Sequence, residues 1–171
     1  MRLDCVTISR WAAVLAIVCL TGCARPVVHF EPRIPFPEAE YQALPRSGKA
    51  VVKGQAFLKT VGGDVKTAAG NKVWLNPITS YSRDWYARSY MGGARLEDPD
   101  PRINSYVQTQ TADGDGRFTF RNVPPGAYYV TTSVVWQVPM GYADWTKAQG
   151  GIVAAVVRVD GDETVEVIVT R

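Results

Sequence analysis

Residues 111–128 read TADGDGRFTFRNVPPGAY, and this stretch decides the fold. Asp113-Gly114-Asp115-Gly116 combines side-chain acceptors with residues that accept left-handed backbone angles, the chemistry of a tight turn. Arg117–Arg121 then alternates strictly and puts Phe118 and Phe120 on one face, as a half-buried strand requires. Pro124-Pro125-Gly126 stops that strand. Pro125 fixes one backbone angle, and Gly126 permits the turn into the next strand, where Tyr128, Val130, Thr132, Val134 and Trp136 share a face. Two such strands predict a sheet with its aromatic face turned to a core.

Strand signals recur on both sides. Ala50–Thr60 is β-prone and turns at Val61-Gly62-Gly63-Asp64. Lys72–Leu75 and Asn104–Thr111 are short candidates. Gly151–Val159 leads through Asp160-Gly161-Asp162 into Thr164–Thr170, with Val165, Val167 and Val169 in register. About seven short strands with Gly and Pro punctuation predict a single antiparallel Greek-key β-sandwich over residues 49–171. Pro77–Arg102 is longer than a hairpin connection needs. Within it, Ser80–Met91 predicts a short amphipathic helix, with Tyr81/Trp85 and Tyr86/Tyr90 each spaced i, i+4. Leu96–Arg102 reads as a proline-broken loop.

The central stretch resembles carboxypeptidase regulatory-like domains, whose transthyretin-like sandwich is shared with collagen-adhesin B-type repeats. The family's pattern is roughly T-x-D-x-x-G-x-F-x-F-x-x-[LV]-x-P-G-x-Y. Asp113, Gly116, Phe118, Phe120, Val123, Pro125, Gly126 and Tyr128 stand at its positions. Gly54, Gly62-Gly63 and Val73-Trp74-Leu75 resemble the family's first hairpin. The resemblance covers most of Ala50–Arg171 and implies a sandwich without a catalytic centre of its own. It implies structural roles for the motif residues, with Phe118 and Phe120 in the core and the Tyr128 hydroxyl on a nearby backbone group. The aromatic insert departs from the family.

The N-terminus reads as an address. Trp11–Leu20 is an uncharged apolar run behind a weakly basic start, too short for a permanent span, which needs about 20 residues, but suited to a signal peptide. Leu20-Thr21-Gly22-Cys23 resembles the bacterial lipobox. Residues 1–22 are therefore expected to be cleaved and Cys23 to carry lipid. All three cysteines, Cys5, Cys19 and Cys23, lie in this region, so the exported part keeps no free thiol. By the sorting habit of lipoproteins, Ala24 after the Cys implies the outer membrane of a Gram-negative cell, facing the periplasm or the surface. Residues 23–48 hold five prolines between Ala24 and Ser47, expected to form an extended spacer between membrane and domain.

The remaining chemistry is sparse. A net charge of +3 with scattered basic residues gives no nucleic-acid face. His29 is the only histidine, so neither a His-paired nucleophile nor a His-rich zinc site can be assembled, and no cofactor is expected. Asp113 and Asp115 are hard ligands for calcium but lack the rest of an EF-hand, which favours a plain turn. Asp98 and Asp100 have the residue types of an acid/base pair but read as solvated. Lys53, Lys59 and Asn122 have the types of an isopeptide bond, without a position that marks one. The candidate binding surface is Tyr81, Trp85, Tyr86 and Tyr90, with Trp136 and Trp145 as outliers. These residues either cover a sheet face or present a stacking surface. The functional expectation is a non-catalytic, lipid-anchored envelope module making structural or protein–protein contacts. The alternatives are a carbohydrate-binding accessory domain and a carboxylate-based hydrolase.

Overall fold

Phe118 and Phe120 lie between two four-stranded sheets of a β-sandwich. The computed structural model describes residues 29–141 and 145–171; the expected signal peptide and the expected lipid site, Cys23, lie outside the described residues. Eight strands are present: β1 (Ala50–Lys59), β2 (Val65–Thr67), β3 (Lys72–Pro77), β4 (Gln108–Thr111), β5 (Arg117–Val123), β6 (Gly126–Pro139), β7 (Thr146–Val159) and β8 (Thr164–Val169). In the first sheet β1 pairs with β2 and β5, and with β8. The second runs β4-β3-β6-β7.

The all-β sandwich expected from the sequence is present, with differences of detail. β2 adds a short strand. β4 keeps only the end of Asn104–Thr111, because Pro101–Ser105 closes into a 3-10 turn with Asp100 capping it. β6 and β7 run on to pair as far as Pro139 and Thr146. Among the eight described strands all pairings are antiparallel except β1 with β8, which run parallel from Val51/Thr164 to Ala56/Val169.

Period-two burial explains the core. Val52, Ala56 and Leu58 of β1 face Val73 and Leu75 of β3, Val130 and Val134 of β6, and Val153 and Val157 of β7 across the sandwich. In β5 the alternation breaks at Asn122, which holds φ 56°. There Arg121 and Asn122 together oppose Val51, between the pairs Ala50/Val123 and Val52/Phe120, a β-bulge. Gly116 needs its φ of 75°, and a Cβ there would stand 2.5 Å from the Ala56 carbonyl oxygen. Only glycine fits.

In its described part, from residue 29, the proline-rich segment does not stand off the domain as a spacer but folds back and docks. Pro37 precedes a one-turn helix, α1 (Glu38–Gln42), where its missing N–H removes nothing a helix start would use. Tyr41 is fully buried and stacks on Phe36 at 4.6 Å. Ile34, Phe36 and Leu44 join Tyr41, Tyr81 and Ile103 in a second, smaller core. Glu31 bridges in parallel to Leu96. Prolines alone favour extension, but the apolar residues set among them supply a face to bury.

Candidate functional site

The outer face of the second sheet carries the aromatic insert. Thr79 starts helix α2 (Ser80–Trp85) with a reciprocal capping box: its side chain accepts from the Ser82 N–H, and the Ser82 hydroxyl accepts from the Thr79 N–H. Glu40 of the docked segment adds a second cap by accepting from the Ser80 N–H and hydroxyl. The continuation, Tyr86–Met91, is a π-helical turn rather than more α-helix. This alters which aromatics meet. The wider turn brings Trp85 and Tyr90, five apart, into a stack at 6.0 Å, while Tyr86 still meets Tyr90 at 5.1 Å.

The four expected patch residues therefore split. Tyr81 is buried in the small core, where its hydroxyl accepts from the Asp100 N–H at 2.9 Å. Tyr86 lies flat on Tyr129 of β6, 4.6 Å apart and 6° from parallel. The Tyr90 hydroxyl accepts from the Ala154 N–H of β7 at 3.2 Å. Trp85, Tyr86 and Tyr90 remain half-buried, covering the sheet while keeping open edges. Because the insert covers it, β6 buries Tyr129 and Thr131 on its outer face as well as its core face. Trp136 packs against the main core, and Trp145 stands 79% exposed just before β7.

Between insert and sheet lies a cavity of about 410 Å³, within the size range of small-molecule sites. Trp74 and Asn76 of β3 line its sheet side. Pairing places Thr109 of β4 and Thr131 of β6 directly beside Trp74, and both threonines also line the cavity. Tyr81 and Trp85 line it from α2, Ile103 and Asn104 from the 3-10 turn, and Arg33 from the docked segment. Trp74 is 38% exposed although it sits in the middle of a sheet face. The Asn76 Oδ1 is buried and has no hydrogen-bond partner, leaving an acceptor in the cavity lining unused by the protein.

Trp74, Asn76, Arg33, Asn104, Thr109 and Thr131 line this cavity but fall outside the patch expected from the sequence. The alternation of Lys72–Pro77 carried the signal: if Val73 and Leu75 face the core, Trp74 and Asn76 must face outward.

The other candidates lie elsewhere. The Asp113 Oδ1 accepts from the Asp115 and Arg117 N–H groups at 2.9 and 2.8 Å, the work of a turn carboxylate. Tyr128 donates its hydroxyl to the Pro124 carbonyl at 2.7 Å, and burial pushes its phenol up to about 12. Asp100 is clasped by the Arg102 guanidinium and backbone N–H, which hold its carboxyl down at about 2. A carboxyl so low is a poor proton donor near neutrality. Asp98, two residues away, is exposed. Lys53 pairs with Glu166 at 2.9 Å, and Asn122 is exposed at the bulge.

Fold and cavity define a β-sandwich protein with an aromatic, polar-lined groove on one outer sheet face. No protein-family model matches the chain, and no curated protein does. A solved structure from Pseudomonas aeruginosa, described as a candidate carbohydrate-binding protein, is 32% identical, with a TM-score of 0.71 over 81% of this chain and 99% of that one. The chain belongs to the same family as that protein.

Proposed function

We propose that this chain is a non-catalytic carbohydrate-binding module that holds a glycan in the groove between β3 and the aromatic insert. The groove itself carries the reading. Sugar rings present apolar C–H faces and equatorial hydroxyls, so a site for them needs aromatic planes flanked by amides and hydroxyls. Here Trp74 and Trp85 supply the planes, and Asn76, Asn104, Thr109 and Thr131 the polar partners. The P. aeruginosa relative supports the same ligand class. This arrangement favours glycan over the protein–protein contact that the sequence alone put first.

Glycan-array screening followed by calorimetry on the best ligand tests the reading. Trp74→Ala and Trp85→Ala should each weaken binding by about 2 kcal/mol or more, roughly thirtyfold in Kd. Trp145→Ala, remote from the groove, should leave binding unchanged. Full affinity in both groove variants would rule the groove out.

We further propose that the module works at a membrane, anchored through Cys23. The lipobox-like Leu20-Thr21-Gly22-Cys23 behind the apolar run supports this. Two or more acyl chains hold stably, at about 0.8 kcal/mol per buried CH₂. Cys23→Ser should abolish incorporation of labelled palmitate in cells of the source type. Undiminished labelling of that variant would remove the anchor.

A further inference from the structure

We infer that the groove selects an acidic sugar, with the Arg33 guanidinium receiving its carboxylate; this rests on the glycan reading above. Among the described residues, Arg33 is the one charged residue lining the cavity, and no carboxylate lines it. Its neighbours show why it stays uncompensated. Arg88 binds Glu31 and Asp84, at 2.7 and 3.2 Å. Arg102 binds Glu38 and Asp100, at 2.7 and 2.8 Å. Glu31, Asp84, Glu38 and Asp100 are thus taken by two other arginines, and the Glu40 carboxylate is taken by Ser80. Among the described residues Arg33 makes no ion pair; its Nε donates to the Glu97 carbonyl at 2.6 Å.

That bond, with the Tyr81 ring 5.5 Å from the guanidinium carbon, fixes the side chain and leaves the terminal nitrogens to a ligand. A planar guanidinium held this way matches the two oxygens of a carboxylate. Beside it, Trp85 and Trp74 offer apolar faces for the ring that bears the acid. A neutral sugar would leave the cation in a half-covered site without a counter-charge.

Calorimetry at low salt with trigalacturonate and with galactotriose, its carboxyl-reduced counterpart, tests this. Trigalacturonate should bind about tenfold more tightly or better, and the advantage should shrink as salt is added. Arg33→Gln should erase the advantage by weakening trigalacturonate far more than galactotriose. Arg33→Lys should keep part of it, because charge remains while the fork is lost. Equal affinities, binding of galactotriose alone, or an acid preference that survives Arg33→Gln overturns the inference and leaves glycan binding standing. Binding of neither sugar also overturns it, and if the glycan array retains nothing, the parent reading falls as well.

Discussion

Phe120→Ala is expected to lower the free energy of unfolding by about 3–5 kcal/mol. Phe120 has no exposed surface and lies between the sheets, with the Phe118 ring 5.8 Å away. Its strand is pinned on β1 next to the bulge, with Phe120 opposite Val52, so the backbone cannot easily collapse into the space a methyl group would leave. A domain of this size is commonly stable by only about 5–15 kcal/mol, and the loss takes a large share of that. Denaturant melts should show a lower midpoint with an unchanged slope, since the same surface is exposed on unfolding. A loss below about 1 kcal/mol would mean that the core repacks around the gap, against the usual behaviour of buried aromatics.

Tyr41→Ala should cost a similar amount, about 3–5 kcal/mol, but the damage should appear elsewhere. Tyr41 is fully buried, stacks on Phe36, meets the Tyr106 ring at 4.8 Å and accepts from the Thr79 hydroxyl at 3.0 Å. Burial pushes its phenol above its ordinary value, as a ring removed from water requires. Without the ring, the segment around α1 loses the centre of its small core and should detach from the insert while the sandwich stays folded. Limited trypsin digestion should then cut at Arg33 faster than in the native protein, where Arg33 is half-buried in the docked segment. Tyr41→Phe keeps the stack and forfeits one hydrogen bond, about 1 kcal/mol, and should remain resistant. Native-like resistance in Tyr41→Ala would show that the charged pairs of Glu31 and Glu38 suffice to hold the segment.

The sandwich was legible because its signals are local. Phe118 and Phe120 alternate, Asp113 and Gly116 mark a turn, and the valines of β8 repeat every second residue; each pattern fixes an element without knowledge of its neighbours. The groove was not legible in this way. Arg33 is remote in sequence from Trp74 and Trp85, and the three meet only because the insert folds over the sheet and the N-terminal segment folds over the insert. The helical spacing of Tyr81, Trp85, Tyr86 and Tyr90 was read as one stripe, but a π turn after Trp85 redistributes them, and nothing in YARSYM announces that turn. Proline content led the segment before Ala50 to be read as a spacer, although Ile34, Phe36, Tyr41 and Leu44 give it a buried face.

The side-by-side run of β1 with β8 bears on the order in which the molecule can assemble. Val51–Ala56 takes its neighbour on that edge from Thr164–Val169, so the contact joins the first and last strands of the sandwich. Such remote pairing slows folding, because the long intervening loop must close before the contact rewards it. A chain still emerging from the ribosome offers β1 with that edge bare, a row of open backbone donors and acceptors that invites pairing with other chains. The first sheet is complete only once β8 has been made, and until then that edge stays open to aggregation.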